Sequence, residues 1–140
     1  EYSITSDIWS VTSFNELRRD GLAVERYNRM HPDKSPKQSF VSQQLSKRQG
    51  PVVAATDYMR IYADQIRPYI KAPYVTLGTD GFGRSDTRER LRHFFEVDAK
   101  FIVLAVLHQL AEQGEIEKST VLDAMKRYKI DPEKLDPAKN

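Results

Sequence analysis

The chain contains no cysteine, which removes disulfide frameworks, thiolate zinc centres and cysteine nucleophiles together. The same absence suits a soluble intracellular protein, and a cytoplasmic location is the expectation. Long apolar runs are missing too. The longest, Phe101 to Leu107, falls far short of the roughly 20 residues that a bilayer core requires, so no membrane partner is expected. No secretory signal is visible, and a start at Glu1 rather than Met reads as part of a longer or processed protein. Excess charge of one sign is also scarce. With 22 basic and 20 acidic side chains the net charge is +2, which argues against a long nucleic-acid footprint. Histidines number only 3, at His31, His93 and His108, and no two stand four apart on a helix. His-Glu-x-x-His, Gly-x-Ser-x-Gly, Walker A and G-x-G-x-x-G patterns are all missing.

What is present is enough for one domain. A chain of 140 residues with 39% hydrophobic content buries about two thirds of its unfolded surface. Ile4, Ile8, Trp9 and Val11 suit a short, mostly buried strand. Ser13 stands three residues before Glu16, a capping-box spacing that opens a helix ended by His31-Pro32. Asp20-Gly21 is a point where that helix can bend. A polar connector with Pro32 and Pro36 leads to a short helix from Ser39 to Lys47, with Phe40, Val41 and Leu45 inward.

After Gly50-Pro51, the run Val52 to Ala55 has the pattern of a central parallel strand. Thr56 or Asp57 is then expected to cap a helix reaching Arg67 or Pro68, before a third strand from Tyr74 to Leu77. A helix from Thr87 to Phe94 follows, then one capped by Asp98 and stopped by Gly114. The last helix, Ser119 to Tyr128, carries Val121, Leu122, Met125 and Tyr128 as its inner stripe. Alternating strands and helices imply an α/β fold, a mostly parallel sheet between two helical layers. Residues 1–130 form that domain and 131–140, with Pro132 and Pro137, a loose tail. Three strands are few for so many helices, and a sheet that narrow struggles to bury both faces.

The glycine-rich loop between the third strand and the next helix carries the only candidate site residues: Gly78, Asp80, Gly81, Phe82, Gly83, Arg84, Ser85, Asp86 and Arg88. Its amides could cradle an anion, or its glycines could serve a tight connection at a strand end. Arg84, Asp86 and Arg88 are expected to form a local charge network, and Arg88 and Arg92 share a helix face whose field is diluted by Asp80, Asp86, Glu89 and Glu96. Two other readings stay open on residue chemistry. One is a free-standing module binding a phosphorylated ligand at Gly81 to Asp86, the other a helical interaction domain recruited through Ser119 to Tyr128.

Three stretches together carry a family resemblance: Asp7 to Gly21, Glu25-Arg-Tyr-Asn-Arg-Met-His-Pro32, and Leu77-Gly-Thr-Asp-Gly-Phe-Gly-Arg-Ser-Asp-Thr-Arg88 continuing to Asp98. They resemble the C-terminal domain of the homodimeric-type pyruvate dehydrogenase first component, a thiamine-diphosphate-dependent family of the transketolase superfamily. Ala55-Thr-Asp-Tyr-Met59 falls in the matching order, and the resemblance runs from about Ser6 to Pro137. It implies an enzyme that decarboxylates pyruvate on thiamine diphosphate anchored by Mg2+. The acetyl group then passes to lipoyl groups of a dihydrolipoyl acetyltransferase component. The cofactor-binding domains lie upstream, so the resemblance assigns no catalytic, cofactor or metal residue to this chain. The implied role is structural and dimer-completing, with the upstream domains and a second subunit as partners. The implied fold is transketolase C-terminal-like, with its first main strand and helix preceding Asp7. The missing strand would lie between the Ile8 strand and the Val52 strand, leaving those two unpaired with each other.

Overall fold

In a computed structural model that describes residues 2–139, the chain forms six α-helices and one two-stranded parallel sheet among those residues. The first helix, α1 (Phe14–Met30), begins where Ser13 Oγ accepts the Glu16 amide at 3.2 Å and ends at His31. It runs unbroken through Gly21. That glycine serves an approach rather than a bend, since a Cβ there would lie 2.2 Å from the Tyr69 ring. Asn28 exchanges two hydrogen bonds with the backbone of Lys37, and Asp20 Oδ2 accepts the Phe40 amide at 2.7 Å. These bonds fold the polar connector back so that α2 (Phe40–Leu45), capped by Ser39, lies against α1.

β1 (Val52–Ala55) and β2 (Tyr74–Leu77) pair in parallel with Val52 opposite Tyr74 and Ala55 opposite Leu77. The crossover holds α3 (Arg60–Asp64) and a 3-10 turn at Arg67–Tyr69. Two side chains staple it to the sheet: Tyr74 Oη donates to the Ala63 carbonyl at 2.8 Å, and Arg67 Nη1 donates to the Tyr74 carbonyl at 2.8 Å. One sheet face, Val52, Ala54 and Tyr74, packs with Val41, Ile66, Phe14, Leu17 and Leu45. The opposite face meets α5 (Ala99–Glu112), with α6 (Lys118–Tyr128) behind it. The layers are therefore helix, sheet, helix, in miniature.

α4 (Arg88–Phe94) and α5 are capped by Thr87 and by Asp98, whose Oδ1 accepts the amides of Lys100 and Phe101. Gly114, at φ +75°, supplies the left-handed stop after α5. Lys129 does the same after α6 despite its Cβ.

Four expectations are corrected. Residues 4–11 form no strand, and Ile8 is 94% exposed. An extended segment becomes a strand only when a ladder partner takes its amides, and among the described residues none does. The segment is held by an Asp7–Arg48 ion pair at 2.9 Å and by Arg48 over the Trp9 ring instead. With no strand there, β1 has β2 as its one sheet neighbour among the described residues. Second, neither Thr56 nor Asp57 caps α3, whose N-cap position is Met59 and which ends at Asp64, short of the 3-10 turn at Arg67–Tyr69. Third, Phe40 faces outward because the Asp20 bond to its amide fixes α2 with Val41 as the inward residue. Fourth, Leu122 is exposed, while Ala124 and Ile130 fill the space under α6.

Candidate functional site

The parallel strands end side by side, so the turn after β1 and the glycine loop after β2 meet at one edge. Gly78 is buried in the junction, where a Cβ would lie 2.5 Å from the Tyr58 carbonyl oxygen and 2.6 Å from the Arg60 amide. The Thr79 amide donates to that Tyr58 carbonyl at 2.9 Å, and Thr79 Oγ1 donates to the Asp57 carbonyl at 3.2 Å. Asp80 Oδ2 accepts from the Arg60 amide at 3.1 Å and from Arg60 Nε at 2.9 Å. Asp80 thus supplies, from twenty residues away, the cap that Thr56 and Asp57 do not.

Beyond Asp80 the loop turns outward. Gly81 has φ +117° and passes so close to the tail that a Cβ would lie 2.2 Å from the Pro137 carbonyl oxygen. Phe82 is 79% exposed, and nothing lies within 4 Å of a Cβ at Gly83. Arg84 places its guanidinium 4.1 Å from the Phe94 ring centroid. Ser85 is exposed. Asp86 accepts the Thr87 amide at 2.7 Å and stands 3.8 Å from Arg90. The carboxylate of Asp86 and the hydroxyl of Thr87 therefore occupy the amides where α4 begins. Arg88 is exposed.

Among the described residues no ion pair joins Arg84, Asp86 and Arg88 to one another, and the main charge link of this region lies elsewhere. Arg92 forks onto Asp57, Nε to Oδ1 at 3.1 Å and Nη2 to Oδ2 at 2.6 Å, tying α4 to the end of β1. The Arg92 hydrogen bond, with the charges of Arg92 and Arg88 beside it, holds the Asp57 carboxyl below the usual carboxylate range. No spacing rule connects residues thirty-five apart, so this pairing carries no local signal. The tail is anchored in the same region. Lys134 Nζ donates to the Phe94 carbonyl at 2.7 Å and to Glu96 Oε1 at 2.9 Å, and Pro137 is buried.

His93 Nδ1 lies 2.9 Å from Asp98 Oδ2 at the α4–α5 junction, and His31 stacks on Tyr27. His108, on α5, is exposed. Among the described residues no group of three or more His, Asp or Glu lies together in a way that could hold a metal ion. An open recess beside β2, lined by Arg60, Ile61, Asp64, Thr76 and Asp80, has its charges already engaged in Arg60–Asp80 and Arg67–Asp64 pairs. The described residues do not fit the divalent cation that would accompany thiamine diphosphate, for want of a carboxylate set. Among the described residues no helix is long and apolar enough to cross a membrane.

A family profile described as "Transketolase-like TK C-terminal domain" matches residues 1–98. The chain belongs to the transketolase C-terminal domain family. It is also similar to proteins named pyruvate dehydrogenase E1 component. Identity is 58% over 98% of the chain in Pseudomonas aeruginosa, 51% over 98% in Cupriavidus necator, and 50% over 98% in Escherichia coli. It covers 16%, 15% and 15% of those proteins respectively, so it spans about a sixth of the length of the relatives it matches. The α/β architecture, helix on sheet on helix, agrees with that family.

Proposed function

We propose that the chain is the C-terminal domain of a homodimeric pyruvate dehydrogenase of the thiamine-diphosphate type. In that reading the whole cytoplasmic enzyme decarboxylates pyruvate on thiamine diphosphate held with Mg2+, and passes the acetyl group to lipoyl groups of a dihydrolipoyl acetyltransferase. The observation that carries the reading is the 50–58% identity over 98% of the chain to proteins of that name. This domain contributes architecture and no catalytic, cofactor or metal residue. It continues a sheet begun by the rest of the enzyme and completes the dimer, with the Gly78–Arg88 loop facing another domain or subunit.

The open edge of β1 supports the architectural part. In a parallel pair alternate residues point their amides and carbonyls to opposite sides. Val52 and Thr56 bond toward β2, so Val53 and Ala55 direct theirs outward. Among the described residues no backbone hydrogen bond from outside the pair reaches Val53 or Ala55. A strand from the remaining polypeptide would satisfy them.

The test is an assay of the full-length enzyme for pyruvate decarboxylation and lipoyl acetylation, with thiamine diphosphate and Mg2+ added or withheld. Cofactor-dependent turnover is expected. Absence of turnover with pyruvate by a folded, cofactor-loaded enzyme would overturn the reading. Calorimetry with inorganic phosphate and nucleotides addresses the other reading of the loop, a phosphorylated ligand at Gly81 to Asp86. That reading would gain if the loop bound either one.

A further inference from the structure

A patch of exposed apolar side chains lies where the strands end. Tyr58, Met59, Ile61 and Tyr62 are 58%, 51%, 58% and 37% exposed, on the turn leaving β1 and the first turn of α3. The surface is rigid. Gly78 lets the turn pack flat, and the Thr79 and Asp80 bonds lock Tyr58 and Arg60 in place. Tyr58 and Tyr62 stand edge to face, their ring centroids 4.7 Å apart. Phe82 protrudes from the adjoining loop. Pre-set Tyr, Met and Phe side chains of this kind form the centres of permanent interfaces.

The area points the same way. The chain exposes 10234 Å², whereas a folded monomer of 16.2 kDa exposes roughly 7,500 Å². The surplus is about 2,700 Å², while a standard interface covers about 800 Å² on each partner. A second copy seated on one patch would leave most of the surplus in water. It would also leave the β1 edge open, three residues before Tyr58. A covalently joined domain can cover patch and edge together, without the translational cost of association.

We infer that the Tyr58–Tyr62 face is docked permanently against an apolar surface in the remaining five sixths of the same polypeptide. The inference rests on the reading above of the chain as one domain of a longer enzyme. It goes further by naming the face and its occupant.

Hydroxyl-radical labelling of the full-length enzyme tests it, with the urea-unfolded enzyme as reference and pyruvate decarboxylation measured on the same preparation. Met59 is expected to label at least about tenfold more slowly in the native enzyme, unchanged when the dimer is diluted to monomers. Ile61→Asp, at a side chain exposed within the domain, is expected to restore Met59 labelling while Tyr74 in the core stays protected. Met59 labelling within about twofold of the unfolded reference would overturn the inference, since a half-exposed side chain behaves that way. Protection lost on dilution would overturn it in favour of a second copy. Protection in an enzyme inactive toward pyruvate would remove the functional reading and leave the docking. Activity without protection would remove the docking alone.

Discussion

Replacing Gly78 by Ala separates two uses of glycine within one loop. The added Cβ meets two backbone atoms, at 2.5 and 2.6 Å, nearly an ångström inside ordinary contact. Backbone cannot rotate away as a side-chain tip does. Relief requires parting the strand-end loop from the Tyr58–Arg60 turn. That strains the Thr79–Tyr58 bond at 2.9 Å and the Asp80–Arg60 cap at 3.1 Å. Overpacking costs about 1–3 kcal/mol and each weakened hydrogen bond about 1 kcal/mol, so roughly 3 kcal/mol is expected in total. At about 2.1 cal/mol/K per residue the unfolding entropy is near 0.3 kcal/mol/K, which converts that cost into a Tm lower by about 10 °C. Gly83→Ala is the control, because nothing lies within 4 Å of its Cβ and its φ is not positive. That substitution should leave Tm unchanged or raise it by about 2 °C, through lower unfolded-state entropy. Thermal unfolding followed by circular dichroism measures both. Equal losses in the two variants, or a loss under about 1 kcal/mol for Gly78→Ala, would refute the locked-junction account.

Further perturbations report on other parts of the structure. Tyr74 has its hydroxyl pushed up to about 12, chiefly by burial and then by the Asp64 charge. A raised acid contributes stability that is present below the unfolded value near 10 and lost as pH rises toward 12. Tyr74→Phe should therefore cost about 1 kcal/mol at neutral pH and flatten the alkaline limb of the stability–pH curve. Asp57 has the opposite sign. Its lowered carboxyl contributes stability above the unfolded value near 3.8 that is lost as pH falls through the folded value. In Arg92→Met an NMR titration of Asp57 should move up into the ordinary carboxylate range. Leu107 is 1% exposed, and Leu107→Ala should cost about 2–5 kcal/mol in urea unfolding.

Local chemistry made much of the fold legible. Ser13, Asp98 and Gly114 set helix boundaries through bonds within three residues of themselves, and the apolar runs Val52–Ala55 and Tyr74–Leu77 are the two strands found. What was not legible depends on distant partners. Ile4 to Val11 has a strand's composition, but a strand exists only beside another strand. The α3 cap comes from Asp80, which lies in a different loop. The Asp57–Arg92 fork and the Lys134 anchor join residues thirty-five and forty apart, beyond any window of periodicity. In the candidate loop, the glycines and charges were visible as residues. Their division into a locked half, Gly78 to Asp80, and an exposed half, Phe82 to Arg88, needed coordinates.

The most direct test of the central claim, that this domain shapes a thiamine enzyme without performing its chemistry, is one experiment on the full-length protein. Arg84 and Arg88 are both replaced by Ala, and dimer dissociation is followed by sedimentation alongside pyruvate decarboxylation per intact dimer. The account predicts a dimer that dissociates at higher concentration while turnover per intact dimer is retained. Unchanged dissociation, or a collapse of turnover within dimers that remain intact, would contradict it.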